Sequence, residues 1–427
     1  MDTKRLLTVS ELMVVGDDYQ AIHEWRGATV RNILEFTHQF PTSETVCLSL
    51  NYRSVPSVLE AARNVIANNA NQRHKELIAT REEPSDSVEV TEFESPQDEA
   101  NKIAGQIFAA CKEGASPSHF AILYRSNAHS QPLEQALRTR GIPYRLRGGA
   151  RSFFERAEIK DTMAYARLLL NPRSDLDFER AIHVPHRGVG EVTIEHLRER
   201  IELDVSRTEC TCLMEAAKAE TRSATCPKNR REALTAFTTL FDRGDDLPGS
   251  SLRELLDAAG YLSMIKEAYP TNGNSGPKDR YENVIALLNL AEQDPDRPLR
   301  DFIDACSTLD SSVSLEEEDS EEDEERENKD TNCVSLMTMH ASKGLEFKIV
   351  YVAGFAEGSL PHSLSVVEGK IEEERRLCYV AITRARDRLV LCIPTTRMRF
   401  GKKEETRASR FLVETGLTLP DRVLAQT

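Results

Sequence analysis

Short apolar runs and longer segments with apolar residues at three- and four-residue spacing follow one another along the chain, as strands and amphipathic helices do when they alternate. Leu12 to Val15 and Val46 to Leu50 read as buried strands, the first stopped by Gly16-Asp17-Asp18. From about Val55 the spacing predicts a helix, with Pro56 in its first turn and Ser54 as its cap. Val88 to Phe93 alternates as a strand, and Asp98 to Cys111 places Ile103, Ala104, Ile107 and Phe108 on one helical face. Phe120 to Tyr124 is strand-like, 130 to 140 helical and 142 to 146 strand-like. After 330 the same alternation returns, with strands at 334 to 338, 349 to 353 and 389 to 393 and a helix at 371 to 383. This predicts an α/β fold on a mostly parallel sheet. Between about 153 and 330 the strand pattern gives way to helical ones, such as Ser251 to Ala259 and Tyr281 to Ala291, so a helical domain is expected as an insert.

The 427 residues suggest about three domains. No apolar run of about 18 residues is found, so no bilayer-spanning segment and no membrane partner are expected. The opening MDTKRLLTVSELMVV does not read as a secretory signal. Nine cysteines scattered from Cys47 to Cys392 point to reduced thiols and an intracellular setting, with the compartment undetermined. Cys210, Cys212 and Cys226 lack a fourth ligand at zinc-site spacing, and no metal site is assigned.

A net charge of −15 argues at first against nucleic acid, but residues 316 to 327, EEEDSEEDEERE, supply −9 of it and leave −6 for the rest. That segment cannot bury enough apolar area to order itself and reads as a solvated linker. Basic stretches with aromatics persist elsewhere. Tyr144 to Arg156, YRLRGGARSFFER, carries Arg145, Arg147, Arg151 and Arg156 beside Phe153 and Phe154, and RMRFGKK spans Arg397 to Lys403.

Four clusters lie just beyond expected strands or at helix ends, where open α/β sheets place their ligands: GDDYQAIHEWRGA at 16 to 28, LNYRS at 50 to 54, TMHASKGLEF at 338 to 347 and EEERRLCYVAITRAR at 372 to 386. In this order they closely resemble the late motifs of the UvrD/Rep/PcrA group of superfamily 1 DNA helicases. ILYRSNAHS at 122 to 130, GGARSFFERAEIKD at 148 to 161, PHRGVGEVTI at 185 to 194 and SRFL at 409 to 412 extend the match over nearly the whole chain.

The resemblance implies a RecA-like motor domain at 51 to 152 and 331 to 427, a helical insert at 153 to 330 ending in an acidic linker from 316, and the last part of a first RecA-like domain at 1 to 50. It further implies that Arg53 and Arg384 supply the cations that γ-phosphoryl transfer needs, and that Gln20 senses the phosphate. Tyr52 resembles the ring that stacks on adenine, and Glu346 the acid that meets the ribose hydroxyl. On the DNA track, Trp25, the only tryptophan, resembles a base-stacking residue, and Arg26, Asn127, His340 and Phe400 match further strand contacts. Gly188 and Gly190 open a turn whose N–H groups suit a duplex phosphate, although a plain interhelical turn fits equally well. Local turn bonding for Asn127, a satisfied histidine at 340 and a packed Phe400 stand as the structural alternatives.

Two departures are Tyr19 and His23, where the family usually has an acid and a tyrosine. A larger one is that G-x-x-x-x-G-K-[ST] does not occur, and the family's acidic, magnesium-holding box is not found either. The chain is therefore expected to open near the end of the first motor domain. ATP and Mg2+ are the implied cofactors and single-stranded and duplex DNA the implied partners, with oligomeric state undetermined. The expected function is ATP-dependent 3′ to 5′ DNA unwinding, with a catalytically silent DNA-binding or regulatory module as its rival.

Overall fold

The computed structural model describes residues 13–22, 30–83, 87–147, 153–203, 210–242, 247–267, 278–292, 294, 297–311, 332–399 and 402–417. Six strands, β1 (Val88–Phe93), β2 (Phe120–Tyr124), β3 (Tyr144–Leu146), β4 (Val334–Thr338), β5 (Phe347–Val352) and β6 (Ala385–Pro394), form one wholly parallel sheet in the order β1-β6-β5-β2-β4-β3. The RecA-like α/β expectation is therefore met. β2 lies between β5 and β4, in register Leu123 to Val352 and Tyr124 to Thr338, and each of its residues is buried. Such a strand can be apolar throughout, because helices cover both faces of the sheet.

The period of two divides that apolar surface between two cores. On one face Ala121, Leu123, Val350, Val352 and Leu391 pack against Val58, Ala62 and Val65 of the helix Pro56–Ile66 and Leu377, Val380 and Ala381 of the helix Ile371–Ile382. On the other, Ile122, Tyr124, Leu336 and Val390 meet Ile103, Ala104 and Ile107 of the helix Pro96–Lys112 and Leu133 and Leu137 of the helix Ser130–Thr139. Phe108, expected on the buried face, is 37% exposed, and Ala100, Ile103, Ala104 and Ile107 carry the contact instead. Gly354, just past β5, has φ +70°, a conformation that favours glycine, and a Cβ there would press on Ser359 Oγ at 3.2 Å and His129 Nε2 at 3.3 Å.

The helices from Ala157 to Ser311 enclose a third core around Tyr165, Leu168, Phe178, Phe237, Leu255 and Phe302. No strand occurs among the described residues of this stretch. Phe153 and Phe154, read above as aromatics of a nucleic-acid strip, belong to this core, and Arg156 is 7% exposed. Apolar packing captures that part of the strip, while Arg145 and Arg147 stay half-buried.

The first two expected strands are corrected. Met13, Val14 and Val15 are irregular and exposed, and of the second run only Leu50 joins a strand, Leu50–Asn51, paired in parallel with Ile78–Ala79. Val46 and Leu48 remain exposed. β-propensity becomes a strand only where a neighbour completes the ladder, and the described residues offer none beyond that short pair. Ser54 is not the helix cap: Val55 takes that position, and Ser54 Oγ donates to the Ala385 carbonyl at 2.7 Å instead. The acidic segment lies outside the described residues.

Candidate nucleotide-facing site and nucleic-acid interface

Arg384 stands between the end of the helix Ile371–Ile382 and the start of β6, and its side chain is fully buried. Nε donates to the Val380 carbonyl at 2.9 Å, Nη1 to the Leu345 carbonyl at 2.9 Å and Nη2 to Thr383 Oγ1 at 3.2 Å. Among the described residues no carboxylate pairs with it. Its direct acceptors are neutral dipoles, so carboxylates offset its charge only at longer range, from Glu346 and Asp17. Burial, and after it the charge of Arg53, pull its pKa down to about 10, which leaves it cationic at neutral pH.

The NYRS turn sets Arg53 beside it. Asn51 Oδ1 accepts from the N–H groups of Arg53 at 3.0 Å and Ser54 at 2.9 Å, and Val55 N–H bonds the Arg386 carbonyl at 3.1 Å. The short polar side chain at 51 thereby closes the turn that sequence chemistry anticipates. Arg53 Nε then meets Glu346 Oε2 at 2.7 Å, while Arg386 Nη1 meets Glu346 Oε1 at 3.1 Å. The hydrogen bond from Arg53, with the charges of Arg53, Arg386 and Arg384, holds the Glu346 carboxyl below the usual range. These ion pairs are partly exposed, at 29% for Arg53 and 41% for Glu346, and exposed pairs exchange cheaply for a competing anion. Tyr52 is 70% exposed and is not a core tyrosine.

Gln20 closes a short 3-10 turn, Asp18–Gln20. Its amide nitrogen donates to Asp17 Oδ2 at 2.6 Å, and Asp17 Oδ1 is held by Lys75 at 2.6 Å. Lys75 also pairs with Asp18. Lys343 Nζ donates to the Gln20 carbonyl at 2.9 Å and Arg376 Nε to the Ala21 carbonyl at 2.8 Å, while the Tyr19 ring meets Tyr379 edge-on at 5.4 Å. The turn is therefore fastened to the helix that ends just before Arg384, and Asp17 is near enough to act on Arg384 electrostatically. The tyrosine at 19, a departure from the family pattern, is buried and lies under Lys75 Nζ at 4.2 Å.

The arginine cluster occupies the N-terminal ends of β5 and β6, opposite to the strand ends at which such sheets usually bind ligands. Asn127 and His340 lie at the other edge, past the C-terminal ends of the paired strands β2 and β4. Both are partly exposed. Gly188, at φ +73°, and Gly190 are exposed in the helical layer, with open space where a Cβ would stand. Arg187 between them and the core is fully engaged, donating to four carbonyls and to Tyr165 Oη, so the turn offers backbone and not this guanidinium. Trp25, Arg26 and Phe400 lie outside the described residues.

Residues 46–395 match the UvrD-like helicase C-terminal domain, and residues 3–41 match the UvrD/REP helicase N-terminal domain. The chain belongs to the UvrD-like helicase family. It is 35% identical over 413 residues to DNA helicase II of Escherichia coli (strain K12), covering 95% of this chain and 55% of that protein. Against ATP-dependent DNA helicase PcrA of Bacillus subtilis (strain 168) it is 34% identical over 419 residues, covering 97% of this chain and 54% of the relative. This UvrD-like chain thus spans about half the length of the relatives it matches.

Four residues of the UvrD-like site were not singled out from the sequence. Lys343, Arg376 and Arg386 stand inside quoted motifs, where their basic character was a usable signal. Lys75 stands in RHKEL, outside every motif, and only the fold brings it to Asp17.

Proposed function

We propose that the chain is the arginine-bearing part of an ATP-dependent DNA helicase that moves 3′ to 5′ on single-stranded DNA and unwinds duplex. The observation that carries this reading is the buried Arg384 guanidinium, held only by neutral acceptors beside Arg53. A cation at a fixed position with no carboxylate bonded to it suits an anion that arrives and leaves, and the nucleotide triphosphate tail is such an anion. Arg384 stays put because packing holds it. Arg53 exchanges Glu346 for a γ-phosphate oxygen, and the two arginines neutralise charge as it spreads in the transition state. Gln20, with one side-chain amide proton committed to Asp17, retains its side-chain Oε1 and second Nε2 proton for phosphate or attacking water.

The exposed Tyr52 ring supplies a stacking face for adenine, and Glu346, once released, an acceptor for a ribose hydroxyl. Mg2+ is assigned no step: among the described residues no three His, Cys, Asp or Glu side chains converge on one point. Asn127 and His340 form the described strand track, joined by Trp25, Arg26 and Phe400, and Gly188 and Gly190 meet duplex phosphate. The proposed division remains 1 to 50, 51 to 152 with 331 to 427, and 153 to 330. A catalytically silent DNA-binding or regulatory module is the second reading.

Titrating a labelled single-stranded oligonucleotide at several salt concentrations tests the DNA assignment. The chain is expected to bind, and Trp25→Ala to weaken binding by about 1–3 kcal/mol with an unchanged salt slope, because stacking releases no counterions. Parental affinity in Trp25→Ala, together with a collapsed Tm, would make the tryptophan a core residue.

A further inference from the structure

Arg156 sits at the boundary between the sheet layer and the helical layer, immediately before the helix Ala157–Leu170, and none of the roles above uses it. Its side chain reaches both layers. Nη1 donates to the Asn127 carbonyl at 3.1 Å and to Asn283 Oδ1 at 3.0 Å, and Nη2 donates to Ser130 Oγ at 3.1 Å. Ser130 Oγ itself donates to the Asn127 carbonyl at 2.9 Å. Asn283, 2% exposed on the helix Lys278–Ala291, is locked from its other end by Nδ2 donating to Glu158 Oε1 at 2.7 Å. The same helix presents Glu282 to His362 Nε2 at 2.7 Å and to Ser126. One helix of the insert thus grips both sides of the turn that carries Asn127.

We propose that Arg156 is a positioning residue that transmits the seating of the helix Lys278–Ala291 to the Asn127 turn, so that the helical layer sets single-strand affinity without touching the strand there. The consequence for affinity rests on the reading of Asn127 as a strand contact. The physical basis is a planar fork that satisfies three acceptors at once, which fixes their relative positions more tightly than separate contacts do. Because Arg156 is buried, it releases no counterion from DNA, and its influence is orientational.

The test uses the full chain as Arg156→Gln, Asn283→Ala, the double variant and, as reference, Asn127→Ala. Amide hydrogen exchange over 126–130, measured without DNA, is expected to rise about tenfold in either single variant. The double variant is expected to add nothing, since both act through one contact. Affinity for a labelled oligo(dT) should fall about three- to tenfold, with its dependence on salt unchanged. Unchanged exchange in the turn with a lowered Tm would reduce Arg156 to a structural residue, and additive losses would uncouple it from Asn283; either overturns the proposal. A salt slope reduced by about 0.7 would also overturn it, by making Arg156 a direct phosphate contact. If Asn127→Ala binds like the parent, the strand-contact reading fails, while the exchange result still decides the coupling.

Discussion

Arg384 and Glu99 show two ways of burying a charge-bearing side chain. Arg384 keeps its charge among carbonyls, whereas Glu99, 3% exposed in the first turn of the helix Pro96–Lys112, accepts the Gly354 N–H at 2.9 Å, and burial pushes its pKa up to about 8. The sign follows from linkage. An acid whose folded pKa is raised contributes stability below its unfolded value, and that stability is lost as pH rises toward about 8. Glu99→Gln keeps the acceptor and removes the titration, so its Tm at pH 8.5 is expected to exceed the parent's by about 4 °C or more, with convergence near pH 5. Melting curves that stay parallel across that range would mean that Glu99 is already ionised in the fold. The arginines, Gln20 and Tyr52 were legible as motif members. That Arg384 would be wholly buried was not, because an arginine in a charge-rich stretch such as EEERRLCYVAITRAR is, taken alone, usually an exposed ion pair.

Elements were legible where their own residues decide them. Pro56 starts its helix, the five buried residues of β2 form the expected strand, and the helix at 371 ends within one residue of its expected limit. The strands at 12 to 15 and 46 to 50 failed because a strand depends on neighbours that local pattern does not name. Packing also set the position of the helix Ile371–Ile382: Arg125, just past β2, grips Glu374 through three bonds of 3.3, 3.1 and 2.7 Å. Glu374 also accepts the His362 N–H at 3.0 Å, and although burial opposes it, Arg125 pulls the carboxyl down to about 2. The depressed value contributes stability above the ordinary carboxylate range and loses it as pH falls toward 2. Arg125→Ala leaves a buried, unpaired carboxylate and is expected to cost about 3–5 kcal/mol in chemical denaturation at pH 7. The additional change Glu374→Gln should recover part of that loss. A single variant within about 0.5 kcal/mol of the parent would make the pair a surface contact in effect.

At the scale of the whole molecule, the two ends of one sheet gather two sets of polar residues. Arg53, Arg384, Glu346 and the Gln20 turn gather at the N-terminal ends of β5 and β6, and Asn127 and His340 at the C-terminal ends of β2 and β4. The helices Pro56–Ile66 and Ile371–Ile382 pack on one face of the sheet between these two ends. Phosphoryl transfer of this kind pairs such arginines with a phosphate loop on a facing lobe. DNA-stimulated ATP hydrolysis by this chain joined to the phosphate-loop lobe of a UvrD-like relative is the direct test. Arg384→Ala or Arg53→Ala is predicted to cut turnover by about 10³-fold or more while leaving single-strand affinity within about threefold of the parent. Undiminished turnover in Arg384→Ala, or turnover and affinity falling together, would contradict the assignment of these arginines to the nucleotide.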